Sequence, residues 1–213
     1  MPTSRLFLLT GLLLVAVVAC KSPTRDQQVD PRIQEWLTHY NIDIQDFNPG
    51  TTHEIPYRVT REFRISEDDL YASLYIFNAD SSMAIDLDSY HLVLEVKEDG
   101  RLFSPGREVD MEVGLIDLEQ SIRKRMLFCG TPCVFEEAGF HPEGQITVAG
   151  FTENDEGFVP ALWEIDPKKY TVRLSVAHKV FTANEIRYTS EKRLRHIEFW
   201  FEKEPAIQTD IPL

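Results

Sequence analysis

From residue 53 onward apolar side chains recur at every second position, and that period constrains the fold of this chain more than any other feature. Tyr170, Val172, Leu174 and Val176 alternate with Lys169, Thr171, Arg173 and Ser175, the pattern of a strand with one buried and one wetted face. Leu92, Leu94 and Val96 repeat it ahead of Glu98-Asp99-Gly100, a hairpin signal. Val109, Met111, Val113 and Leu115 repeat it again, as do Ile146 with Val148, the run Phe158 to Ile165, and Ile197, Phe199 and Phe201. Ile55, Tyr57, Val59, Phe63 and Ile65 share one parity and predict one long or bulged strand. Tyr71 to Phe77 reads as strand, with a short helix capped near Ser66 as the alternative, and Gln120 to Phe128 fits either period. About nine such segments, separated by turn residues, predict a mainly β chain built as an antiparallel β-sandwich.

One short helix precedes the strands. Asp30-Pro31 supplies a capping acid and a proline at the first helical position, and Ile33, Trp36, Leu37 and Tyr40 follow at helical spacing. Asn48-Pro49-Gly50 ends the segment. The stripe needs a floor, and Trp200, on the parity opposite Ile197, Phe199 and Phe201, is the expected one. An outward-facing Trp200 would otherwise serve as a platform for a protein or glycan.

The stretch Asp166-Pro-Lys-Lys-Tyr170-Thr-Val172 resembles the signature before strand F of immunoglobulin-like domains. Val172 stands where true immunoglobulins place a cysteine. The resemblance covers seven residues and implies an Ig-like sandwich, with the tyrosine hydroxyl bonding backbone where the chain crosses between sheets.

The N-terminus carries an address. Leu6 to Ala19 is a 14-residue run without a charge, short of the about 20 a membrane span needs but suited to the apolar core of a signal peptide. It ends in Val17-Val18-Ala19-Cys20, followed by the polar Lys21-Ser22. This resembles the lipobox of bacterial lipoproteins and implies cleavage before Cys20 and a lipid on its thiol. By the same analogy, Lys21 directly after the cysteine implies a bacterial envelope protein held at the outer membrane and facing the periplasm, with a Gram-positive cell surface as the alternative. The expected organisation is a lipoprotein signal peptide at 1–19, a tether at 20–29, the helix and connector at 30–49, a β-sandwich at 50–205 and a C-terminal tail at 206–213.

With 22 Lys and Arg against 35 Asp and Glu, the formal charge is −13. That balance argues against nucleic acid as a partner, because binding a phosphate backbone needs clustered cations. It also repels an anionic lipid surface, so the domain is expected to stand off the bilayer on its tether.

With Cys20 assigned to lipid, Cys129 and Cys133 remain, separated by Gly-Thr-Pro. An oxidising compartment favours their pairing as a staple at a hairpin tip. Two other readings stay open: a redox pair, against which stands the three-residue spacing, and a soft-metal site completed by His141.

Signatures of catalysis are missing from the sequence. It contains no Gly-x-Gly-x-x-Gly, no phosphate-binding Gly-Lys-Ser/Thr and no Gly-x-Ser-x-Gly, and Tyr57 stands where a His53-Glu54 zinc helix would need its second histidine. No cofactor and no enzyme activity are expected. Asp80, Asp86 and Asp88, and Glu153, Asp155 and Glu156, read as solvated loop charge, with Ca²⁺ as the alternative. Arg123-Lys124-Arg125 is the single basic run, expected on a solvated face or, with Trp200, on a surface for an acidic partner. The function that follows is a non-enzymatic module binding or scaffolding another envelope protein. A small-ligand or glycan binder is the alternative, and a cysteine-based metal or redox protein comes third.

Overall fold

A computed structural model describes residues 29–55 and 59–200. Helix α1 (Pro31–Tyr40) starts where Asp30 accepts a hydrogen bond from the Arg32 amide at 2.8 Å, and ends where Asn41 turns into the left-handed region at φ 51°. Lys179 Nζ donates to the Tyr40 carbonyl at 2.7 Å and so satisfies one of the carbonyls left open at a helix end. Thirteen strands follow among the described residues. The first seven are β1 (Asn48–Glu54), β2 (Thr60–Glu62), β3 (Ile76–Phe77), β4 (Met83–Asp86), β5 (Leu92–Val96), β6 (Leu102–Arg107) and β7 (Met111–Asp117). The other six are β8 (Ile122–Cys129), β9 (Cys133–Phe140), β10 (Ile146–Asn154), β11 (Gly157–Asp166), β12 (Thr171–Val176) and β13 (Glu198–Phe199).

The strands form three sheets. The first runs β1-β12-β11-β10-β9 and the second β2-β8-β7-β4-β3, each antiparallel throughout. Their facing sides share one core, in which Ile146, Val148, Trp163 and Ile165 meet Ile85, Val113, Leu115 and Met126. The chain is therefore mainly β and sandwich-like, with one short helix near the N-terminus. The third sheet, β13-β6-β5, has its own core of Leu74, Leu92, Leu94, Leu194, Ile197 and Phe199.

Strict alternation explains why the first sheet is buried on both faces. On β10 and β11, Ile146, Val148, Ala161 and Trp163 point into the sandwich, while Ala149, Phe151 and Leu162 point out beneath α1. The floor of the helix is thus Phe151 with Phe181, not Trp200, because the third sheet lies elsewhere. After β12 the chain runs from 177 to 197 without a helix or named strand. This strap packs Phe181 and Tyr188 against α1 and delivers Leu194 and Ile197 to the third sheet.

Three local expectations are corrected. The single strand expected across Ile55 to Ile65 is two strands in different sheets, β1 beside β12 and β2 beside β8, with Ile55 buried in the sandwich core; Tyr57 lies outside the described residues. Tyr71 to Phe77 holds a 3-10 turn at Ala72–Leu74 and only the two-residue β3. Asp166 to Tyr170 is a hairpin turn inside one sheet rather than a crossing between sheets. There the Asp166 carboxylate accepts the Lys168 and Lys169 amides at 3.1 and 3.0 Å, and Tyr170 takes φ 55°, which turns β11 straight back into β12.

Candidate functional site

Cys20 lies outside the described residues, as do the signal-peptide stretch and the tail from 206. Cys129 and Cys133 stand at disulfide distance, with Cα atoms 6.1 Å apart. They close a corner rather than a hairpin tip: β8 pairs with β7 and β2, β9 pairs with β10, and the Gly-Thr-Pro turn is where the chain leaves the second sheet for the first. Among the described residues, no group of three or more His, Cys, Asp or Glu is placed to hold a metal ion, so His141 does not complete a site with the pair; its ring contacts Thr147 Oγ1 at 2.7 Å.

The basic run does not form one surface. Arg123 is 2% exposed on the face of the second sheet turned away from the sandwich core. Its Nε donates to Asp86 at 2.8 Å, and its Nη1 donates to Glu112. Glu112 also accepts from Arg125 Nε. Gly114 makes room for the guanidinium, since a Cβ there would lie well under 3.0 Å from the Arg123 Cζ. Lys124 sits 3.9 Å from Asp117. Arg125 turns partly outward, where its guanidinium covers the Phe128 ring at 4.8 Å and the Tyr90 ring at 6.0 Å. Phe128 is 48% exposed and meets Tyr90 edge-on.

Asp86 and Asp88 are likewise not solvated loop charge. Asp88 accepts from Arg193 of the strap, whose Nη2 donates to the Glu136 carbonyl at 2.8 Å. Arg193 Nε lies 3.8 Å from Glu137, and Tyr188 donates its hydroxyl to Glu137 at 3.2 Å. A register shift in β9 opposite Ala149 and Gly150 leaves Glu136 unmatched on β10. Its carboxylate turns to α1, where Trp36 Nε1 donates at 2.7 Å and the Tyr40 hydroxyl at 3.0 Å. Burial pushes the Glu136 carboxyl up to about 7, against the opposing pull of those two hydrogen bonds. Burial and the neighbouring carboxylate also push the Tyr40 phenol well up, and burial holds the His91 imidazole below its ordinary value.

Trp200, the last described residue, is 62% exposed. Its amide donates to the Ser104 carbonyl at 3.1 Å, and its ring stands edge-on to Phe103 at 6.3 Å, with Lys97 Nζ over the Phe103 face at 5.4 Å. Two aromatic and cationic groups are therefore presented outward, Trp200-Phe103-Lys97 on the third sheet and Tyr90-Phe128-Arg125 on the second and its flank. A groove of about 660 Å³ lies between α1 and the strap, lined by polar side chains including Glu35, His39, Arg187 and Tyr188.

The buried acids Asp86, Asp88, Glu112, Glu136 and Glu137 are engaged by arginines, a tryptophan and tyrosines. Sequence reading missed Glu112, Glu136, Glu137, Arg193, Tyr90 and Phe128. The available signal was a glutamate between Met111 and Val113 in an alternating strand, and a Glu-Glu pair inside Cys-Val-Phe-Glu-Glu-Ala-Gly-Phe. Among the described residues no helix is long and apolar enough to cross a membrane. Compared with known proteins, the chain matches no family model, no curated protein and no solved structure.

Proposed function

We propose that this protein is a lipid-anchored protein of the bacterial envelope, at the periplasmic side of the outer membrane, that binds or scaffolds another envelope protein without catalysing a reaction. The lipobox-like Val17-Val18-Ala19-Cys20 supports the anchor, and the charge of −13 supports a domain standing off the bilayer. The observation that carries the binding role is Trp200, exposed beside Phe103 and Lys97 directly after the two-residue strand β13 of the smallest sheet. Tryptophan, tyrosine and arginine dominate the energetics of protein interfaces, because they combine large apolar area with a polar handle. Tyr90, Phe128 and Arg125 likewise combine aromatic rings with a cation.

Cross-linking and co-purification from native membranes test the proposal, with wild type compared with Cys20→Ala and Trp200→Ala. A stoichiometric partner found with wild type, lost with Cys20→Ala and weakened by Trp200→Ala, is the expected result. The same recovery of partner from all three, or no partner from any, overturns it and turns attention to a small ligand or glycan.

A further inference from the structure

Glu136 occupies an unusual place: a carboxylate 9% exposed, on a bulge in β9, whose side-chain hydrogen bonds both come from one helix. Those donors, Trp36 and Tyr40, are uncharged and belong to the buried stripe of α1. No other polar side-chain contact joins the stripe to the sheet among the described residues; the rest of the interface is apolar, with Ile33, Leu37, Ala149, Phe151 and Leu162. In sequence α1 follows directly on the polar stretch 20–29. We propose that Glu136 is a proton-controlled latch for α1, holding the helix more tightly when protonated than when ionised, so that the join between the N-terminal stretch and the sandwich loosens as pH rises.

The reason is the balance of surroundings. From α1, Trp36 and Tyr40 donate to the carboxylate, while His39 stacks on Tyr40 at 4.7 Å and on Tyr188 at 5.3 Å, and Glu35 is taken up by Lys192 at 3.0 Å. From the strap, the Tyr188 backbone favours the ionised form, and Arg193 is committed to Asp88 and to the Glu136 carbonyl. From the sheets, Arg107 of β6 favours ionisation, and Glu137, next along β9, is engaged by Tyr188. Against these stands the removal of a charge from water, which outweighs them. Undocking α1 returns water to the carboxylate, so ionisation favours the undocked helix by linkage.

The test follows the Trp36 indole N–H of the full chain by ¹H–¹⁵N NMR from pH 5 to 9, with Trp163 and Trp200 as internal references. Amide-exchange protection of α1 is measured against that of β10 over the same range. The expected result is a Trp36 shift with a midpoint near 7, and α1 protection falling about tenfold relative to β10 between pH 6 and 8. Glu136→Gln should abolish both changes. A flat Trp36 shift, or α1 protection that tracks β10 at every pH, overturns the proposal. Both readings are made on wild type, so they decide the matter even where Glu136→Gln does not fold. Neither depends on the lipid or on a partner, so failure here leaves the proposed function standing.

Discussion

Arg123 crosses its sheet through the space that Gly114 leaves empty: a Cβ at 114 would overlap the guanidinium, which Asp86 and Glu112 pin from two sides. A long side chain can usually swing away from an added methyl, but this one cannot move without leaving Asp86 buried without a cation and Glu112 with Arg125 alone. Breaking a buried pair in this way costs about 3–5 kcal/mol. Gly114→Ala should therefore lower stability by about 3 kcal/mol, read as a shift in denaturant midpoint. In an Arg123→Met background the same alanine should cost much less, and an additive double mutant would refute the coupling.

Arg193 performs the matching task between the loop after β4 and strand β9. It ties the strap to Asp88 and to the backbone of β9, with Glu137 close by. Arg193→Met should destabilise the fold by about 3–5 kcal/mol, because Asp88 is left buried without its cation. The strap should also become the first site of cleavage in limited proteolysis, since residues 177 to 197 have no helix or named strand of their own.

Stability should depend on pH through Glu136 with a definite sign. Its folded value of about 7 lies above the ordinary 4.5, so between these limits the folded chain keeps a proton that the unfolded chain has released. The contribution is fully present below about 4.5, declines as pH rises through the window, and is gone above about 7. At 1.36 kcal/mol for each unit its ceiling is about 3 kcal/mol. The difference in unfolding free energy between wild type and Glu136→Gln, measured from pH 4 to 9, should trace that slope. A pH-independent difference would show that burial does not set the charge of this group.

A disulfide between Cys129 and Cys133, which stand at disulfide distance, closes a loop with a sequence separation of 4, so its expected effect on the unfolded chain is at the low end, about 2 kcal/mol. Its position at the corner between the two large sheets adds a structural consequence. Reduction, or Cys129→Ala with Cys133→Ala, should lower the melting temperature and selectively raise amide exchange at the ends of β8 and β9. Uniform change across both sheets would argue that the corner is held by other contacts.

Much of the strand pattern was legible in the chain itself. The described residues hold thirteen strands where about nine segments were expected, and β12, β10, β11 and β7 lie where alternation predicts them. Helix α1 runs from the expected proline to the expected last apolar residue. β4 and β9 were not legible, and the reason is chemical. Both carry acids that are buried, Asp86 in β4 and Glu136 and Glu137 in β9, and a pattern reader takes an acid for a solvated loop. Arg123 was misplaced for the same reason, since its flank of Lys124 and Arg125 resembles a wetted face.

The division between sequence and tertiary structure follows from the range of the forces concerned. Alternation, capping and turn chemistry act over a few residues, so the sequence alone determines that this chain is mainly β, that one capped helix precedes the strands, and that two cysteines lie close enough to pair. Which strand neighbours which, and which charges are buried, depends on partners far along the chain. Arg193 meets Asp88 across 105 positions, and Trp36 meets Glu136 across 100. Only the folded structure brings such groups together, because the burial that makes each pairing necessary is itself created when the layers close.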